Sequence, residues 1–179
     1  LYRHEDGFYY FVATVPEYDR IELRRSQSLA ELPGVRAKTI WTRHPHGEMA
    51  AHIWAPELHR IEGRWYIYFA AGRAENAWDI SMYVLENSSA NPLEGSWIER
   101  GRIETLLESE KTGLDRFYLD GTTCKLRGKH YFIWAQRNRN IPGNSNIYIA
   151  QLENPWTIQG EPVLLTKPEY SWEKRLFLV

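Results

Sequence analysis

Two carboxylates and a tryptophan near the starts of predicted strands are the residues best placed to do chemistry. Asp120 lies eight residues before the hairpin residue Gly128, and the same station before the preceding hairpin falls on Ala55, next to Trp54 and two residues before Glu57. A carboxylate can act as a general acid or base, and an aromatic ring can stack on the apolar face of a sugar. The spacing predicts a carboxylate and an aromatic ring at one shared surface.

Each of these residues also has an ordinary structural interpretation. Asp120-Gly121 is a common turn pair, Trp54 fits a core position, and Glu57 fits a solvent-exposed strand position. Pro56 within the predicted strand would mark an edge or an irregular backbone. The internal repeat favours a functional role for Asp120, because it places the residue at the start of an innermost strand.

Three segments repeat a pattern of Gly, two variable residues, Tyr, and then aromatic and aliphatic residues. They begin at Gly7, Gly63 and Gly128, and each follows polar residues, which is typical of a hairpin turn that leads into a strand. A further strand is predicted after each of them, at residues 20–25, 79–85 and 146–152, and then an outer strand that begins near Trp41, Trp97 or Trp156. No segment keeps a period of 3.6 residues, so little helix is expected.

Four strands per unit is the pattern of a β-propeller blade. We predict an all-β fold in one partial domain, residues 1–179, with blade-like units at about 1–48, 49–112 and 113–179. A β-sandwich is the alternative, and the propeller is favoured because the match covers a whole four-strand unit. Since propellers usually close with four to eight blades, three units predict an incomplete ring.

Composition argues against several classes of partner. The chain has 22 Lys and Arg against 23 Asp and Glu, so neither nucleic acid nor an anionic membrane is a predicted partner, and no apolar run is long enough for a transmembrane helix. The first residues lack the apolar region of a signal peptide. Cys124 is predicted to be a buried structural thiol. For His44, His46 and His52 no Cys or clear carboxylate completes a metal set, so no metal site is predicted there.

At residues 52–58, 63–71, 119–123 and 134–136 the sequence resembles glycoside hydrolase family 43, most closely its bacterial α-L-arabinofuranosidase branch. The likeness runs along the whole chain, with motifs in family order and at family spacing. The resemblance implies a five-bladed β-propeller, with about the first three blades in this chain. It also implies inverting hydrolysis of arabinose- or xylose-containing plant polysaccharides and oligosaccharides.

The resemblance assigns roles to particular residues. The family uses an Asp general base, a second Asp that orients substrate and raises the pKa of the acid, and a Glu general acid. Asp120 matches the second Asp, whereas the base and the acid are expected before Leu1 and after Val179, so the chain alone is predicted to be inactive. The predicted substrate-binding residues are His52, Trp54, Glu57 and Gln136. No cofactor is predicted: calcium occurs in complete family members, but its usual ligands lie in later blades. Relatives are secreted or intracellular, so the compartment stays open.

Two other functions remain open. A shortened propeller that keeps its aromatic residues would be a non-catalytic carbohydrate-binding module. Alternatively, Glu57 and Asp120 would themselves act as acid and base, which requires both carboxyl groups to face one site with room for a water and a glycosidic bond. In either case the exposed faces of the first and last units predict self-association or completion by the missing blades.

Overall fold

Three four-stranded sheets make up the fold. The structure, a computed structural model, describes residues 1–105, 114–141, 143 and 145–174. The strands of the first sheet are β1 Tyr2–Arg3, β2 Tyr9–Thr14, β3 Arg20–Ser26 and β4 Lys38–Thr42. Those of the second are β5 Ala51–Ile61, β6 Arg64–Gly72, β7 Ser81–Asn87 and β8 Ile98–Arg102, and those of the third are β9 Leu114–Leu126, β10 Lys129–Asn138, β11 Asn146–Asn154 and β12 Thr157–Thr166.

Each sheet is an antiparallel meander in which the strands lie side by side in chain order. Within the described ranges the only helical element is a 3₁₀ turn at Leu32–Gly34, and no helix there is long and apolar enough to cross a membrane. The predictions of an all-β fold and of four strands per unit are confirmed. The predicted unit boundary at 112/113 lies outside the described residues, and the other unit limits stay predictions.

In two of the three sheets, the outer strand begins next to the tryptophan that predicts it. Strands β8 and β12 start directly after Trp97 and Trp156. In the first sheet Trp41 lies inside β4 and pairs with Ile21, because the strand already begins at Lys38. The expected start near Trp41 was therefore wrong by three residues.

The hairpin turns follow from backbone conformation at the repeated glycines. Gly63 and Gly128 both have φ of +81°, and the residues before them, Glu62 and Arg127, both have φ of +49°. Positive φ at both central residues is the type I′ turn, whose twist matches that of the flanking strands. The hairpins β5–β6 and β9–β10 predicted from the Gly-x-x-Tyr pattern are confirmed.

The core has two layers, one on either side of the second sheet. Side chains alternate across a strand, so Tyr66 and Tyr68 of β6 pack towards the third sheet while Trp65 and Ile67 pack towards the first. Because β6 is buried on both faces, its sequence is nearly all apolar rather than alternating. This face-to-face stacking brings the innermost strands β5 and β9 into contact. The expectation that Asp120 lies at the start of an innermost strand was wrong, because β9 already begins at Leu114 and Asp120 is the seventh of its thirteen residues.

Cys124 corrects one expectation from the sequence. Its side chain is exposed, not buried. The expectation rested on its position within an inner strand. Thr123, the neighbour of Cys124, contacts His59 of the second sheet, so the side chain of Cys124 lies on the opposite face of the third sheet.

Candidate functional site

The candidate site is built around matching bulges in β5 and β9. In each strand two residues, beginning with Ala55 in β5 and Asp120 in β9, lie opposite one residue of the next strand, Phe69 or Trp134. Ala55 has φ of 44° and Asp120 φ of 53°, a left-handed conformation that is uncommon for residues other than glycine. A bulge turns the local side chain out of the regular pleat. The spacing predicts that Ala55 and Asp120 occupy equivalent positions in their units, and their backbone conformations and bulges match.

Four aromatic side chains cluster beside the β5 bulge. The ring of His52 lies 4.4 Å from that of Trp54 and 5.1 Å from that of Trp78, and Tyr18 packs edge-on against Trp54 at 5.9 Å. Trp78 is 53% exposed and Tyr18 is 43% exposed. Partial burial lowers the pKa of His52, which favours a neutral imidazole that can both donate and accept a hydrogen bond. The cluster offers flat apolar faces and one polar ring to solvent.

Tyr18 and Trp78 were missed by sequence reasoning. Tyr18 lies in the β2–β3 loop of the first sheet, and Trp78 lies in the β6–β7 loop, where its backbone N–H donates to Asn76 Oδ1 at 3.2 Å. That loop passes so close to Gly72 that an added Cβ would stand 2.1 Å from the carbonyl oxygen of Ala77. The only signal in the sequence is a large aromatic residue in a short polar loop.

Glu57 is held by a hydrogen-bonded network that crosses from the second to the third sheet. Its Oε2 lies 2.9 Å from His59 Nε2, and the Nδ1 of the same imidazole lies 3.1 Å from Thr123 Oγ1. The bond with His59 is the main reason that the pKa of Glu57 is lowered, and a hydrogen bond with Thr122 adds to it. Glu57 is thus stabilised as a carboxylate.

The pKa of Asp120 is shifted in the opposite direction. The residue as a whole is exposed, yet partial desolvation of its carboxyl group raises the pKa, and the negative charge of Glu57 raises it further. The pKa values of these two carboxyl groups, on neighbouring inner strands, are therefore shifted in opposite directions by their surroundings.

Gln136, unlike Glu57 and Asp120, is not exposed to solvent. It is fully buried in the third sheet, where its Oε1 accepts a hydrogen bond from Trp134 Nε1 at 2.9 Å. The structure thus brings His52 and Trp54 into one cluster and couples Glu57 to Asp120, but keeps Gln136 in the core. Its role as a substrate ligand stays a prediction.

The histidines singled out in the sequence are not grouped. His44 pairs with Glu99, with 2.9 Å between Nε2 and Oε1, while His52 belongs to the aromatic cluster. Over residues 1–105, 114–141, 143 and 145–174 no three His, Cys, Asp or Glu side chains are placed to hold a metal ion together.

Comparison with known proteins gives the family. A family model described as glycosyl hydrolases family 43 matches residues 1–179. The chain belongs to this family. The resemblance noted in the sequence is confirmed, and the three sheets correspond to blades of the family-43 propeller.

Similar family-43 proteins are named arabinofuranosidases. An extracellular exo-α-(1→5)-L-arabinofuranosidase of Streptomyces avermitilis is 51% identical over 173 residues, which are 97% of this chain and 34% of the relative. An α-L-arabinofuranosidase of Humicola insolens is 47% identical over 175 residues, 97% of this chain and 35% of the relative. The chain thus spans about a third of the length of these two relatives.

Solved structures of the family share the architecture. The crystal structure of an α-L-arabinofuranosidase from Lactobacillus brevis superposes with a TM-score of 0.85 at 46% identity, over 96% of this chain and 54% of that one. A thermostable family-43 glycoside hydrolase gives a TM-score of 0.65 at 20% identity, over 96% of this chain and 53% of that one. At that identity the second match shows the fold alone.

Proposed function

We propose that this chain is part of the catalytic propeller of a glycosidase that cleaves arabinose-containing polysaccharides and oligosaccharides with inversion, as an α-L-arabinofuranosidase. The observation that carries the proposal is Asp120. It lies at the bulge of the inner strand β9, is accessible to solvent and has a raised pKa. The names of the similar proteins support the choice of arabinose over xylose.

Asp120 acts as the carboxylate that orients the sugar and raises the pKa of the general acid. A carboxylate placed beside an acid makes loss of the acid's proton less favourable, which keeps that acid protonated at neutral pH. The left-handed bulge supports this role, because it turns the side chain of Asp120 out of the regular pleat of β9.

The aromatic cluster of Tyr18, His52, Trp54 and Trp78 binds the sugar. Ring faces of tryptophan stack on the apolar side of a pentose, and the neutral imidazole of His52 hydrogen-bonds to a hydroxyl group. Glu57 is half exposed, so it can accept a hydrogen bond from a second hydroxyl while it remains paired with His59. Gln136 is fully buried beside Trp134, so it has no exposed surface in this structure for a sugar to contact.

Residues 1–179 alone do not turn over substrate under this proposal. Inverting hydrolysis needs a carboxylic acid and a carboxylate base about 6.5–9.5 Å apart. The family's base and acid are expected outside this range. Glu57 is a poor substitute for the acid because the hydrogen bond from His59 favours its ionised form.

Apolar surface on the first and third sheets supports self-association of the isolated chain. Tyr10 and Val12 of β2 pack towards the second sheet, so Phe11 between them faces away from it. There Phe11 borders a recess of about 330 Å³ whose other lining residues are Leu1, Arg24, Leu29, Leu32 and Pro33. On β12 of the third sheet, Val163 and Leu165 are both more than half exposed.

The experiment is hydrolysis of an aryl α-L-arabinofuranoside and of arabino-oligosaccharides by the full-length protein, with the anomer of the first product read by proton NMR. Release of the inverted anomer supports the proposal. Tight binding of the oligosaccharides without turnover favours the alternative, a non-catalytic carbohydrate-binding propeller that uses the same aromatic cluster. If the protein neither binds nor hydrolyses these oligosaccharides, both functions are contradicted.

A further inference from the structure

Two hydrogen bonds join the first sheet to β5, one on each side of Trp54. One comes from the end of β2 and the other from the β2–β3 loop. The Oγ1 of Thr14 accepts a hydrogen bond from the backbone N–H of Ala55 at 2.8 Å. The carbonyl oxygen of Tyr18 accepts another from the N–H of Ile53 at 3.2 Å. Trp54 therefore lies between two backbone groups that are fixed by the neighbouring sheet.

The loop that makes these contacts has a defined shape of its own. Tyr18 has φ of 54°, and its N–H donates to the carbonyl oxygen of Val15 at 3.0 Å, which closes a tight turn. The ring of Tyr18 then packs edge-on against the indole of Trp54. The same short segment thus sets both the backbone around Trp54 and one neighbour of its ring.

The interface between the second and third sheets repeats only one of the two contacts. Tyr118 N–H donates to the carbonyl oxygen of Ile80 at 3.2 Å, as Ile53 does to Tyr18. The residue that corresponds to Thr14, seventh after its hairpin glycine, is Ala70, which has no hydroxyl. A contact required for blade packing in general would recur, so the hydroxyl contact is specific to the interface that carries the aromatic cluster.

We propose that Thr14 is a positioning residue for sugar binding, whose hydroxyl holds Ala55 in its left-handed conformation and thereby fixes the indole of Trp54 and the carboxylate of Glu57. Alanine disfavours this conformation, so the backbone needs a partner to keep it. Without the hydroxyl the bulge relaxes, and the ring and the carboxylate lose their relative placement. The inference rests on the proposed function and adds to it a residue of the first sheet.

The test compares Thr14→Val with Thr14→Ser in the full-length protein. Valine keeps the branched shape and removes the hydroxyl, whereas serine keeps the hydroxyl. Loss of one hydrogen bond predicts that Thr14→Val raises the Kd and the KM for arabino-oligosaccharides about three- to tenfold, with a smaller change in kcat, and that Thr14→Ser stays within about twofold. Thr39→Val, at an exposed position of β4, is the matched control and should change neither constant.

A second readout does not depend on activity. In ¹⁵N–¹H spectra the Ala55 amide and the Trp54 indole should shift in Thr14→Val and remain in place in Thr14→Ser. An unchanged Kd and unchanged resonances in Thr14→Val would overturn the inference, as would a loss that serine does not rescue. If the unmodified protein binds no arabino-oligosaccharide, the proposed function itself fails, and that result is separate from the behaviour of the variants.

Discussion

Ala55 and Asp120 adopt the same left-handed backbone conformation at the same station of two neighbouring blades, with φ of 44° and 53°. Each is the first residue of a bulge in an innermost strand. Aspartate tolerates the left-handed conformation better than alanine does, so Asp120 adopts it although Ala70 stands at the position that corresponds to Thr14. Ala55 lacks that tolerance and has the Thr14 hydroxyl as its partner.

Trp78→Ala should weaken sugar binding without loss of stability. The indole is 53% exposed and contacts His52 and Trp54 in the aromatic cluster, so it contributes more to a bound sugar than to the core. Loss of one stacking partner predicts a rise in Kd for arabino-oligosaccharides of about two- to tenfold. Isothermal titration calorimetry of the full-length protein measures it.

Ile98→Ala is the control for that experiment, since Ile98 is 51% exposed but lies on the outer strand β8. It should leave the Kd unchanged. Equal Kd values for Trp78→Ala and the unmodified protein would show that the cluster does not bind the sugar.

Glu57→Gln should lower the pKa of Asp120. The negative charge of Glu57 disfavours ionisation of Asp120, so a neutral side chain makes that ionisation easier. Because desolvation is the larger cause of the raised pKa, the decrease should be partial. Carbon-13 NMR titration of the Asp120 carboxyl group follows it, with Glu153→Gln, an exposed position of β11, as the control. An Asp120 pKa that rises or stays constant in Glu57→Gln contradicts the coupling.

Gly121→Ala should destabilise the contact between the second and third sheets. A Cβ there would lie 2.3 Å from Phe132 Cζ and 2.7 Å from Met82 Cε, and both side chains are fully buried. Overpacking of this kind lowers the free energy of unfolding by about 1–3 kcal/mol. Urea denaturation provides the measurement. Gly34→Ala, where a Cβ meets no atom within 4 Å, should fall within about 0.5 kcal/mol of the unmodified protein. A similar effect at both glycines would argue against close packing at Gly121.

The isolated 179-residue chain should self-associate. Apolar side chains are exposed on the third sheet, such as Val163, and in the loop after β3, such as Leu29, on surfaces that a propeller normally buries against further blades. Sedimentation velocity at several concentrations measures the state. A single species of 21.1 kDa at all concentrations would contradict this expectation.

Much of the fold is predictable from the sequence because its signals are local. Type I′ turns require positive φ, so the glycines at 63 and 128 mark hairpins regardless of the rest of the chain. The bulge in β5 was also predictable in part, since Pro56 within a strand marks an edge or an irregular backbone. The side-chain alternation of β10 could have indicated that Gln136 is buried, because it lies on the same face as Trp134.

The candidate site was predictable only where it lies on strands. Trp54 and Asp120 follow from strand register, which spacing reveals. Tyr18 and Trp78 lie on loops of different sheets and meet only through packing between those sheets, for which no sequence spacing exists. Exposure of Cys124 likewise depends on which sheets cover the third sheet, and that is not a local property.

The role of Asp120 is tested by Asp120→Asn in the full-length protein, measured with an aryl α-L-arabinofuranoside. Asparagine keeps the size of the side chain and removes its charge. We expect kcat to fall by at least about a hundredfold, while the melting temperature and the Kd for arabino-oligosaccharides change little. A kcat within about twofold of that of the unmodified protein would contradict the central role of Asp120.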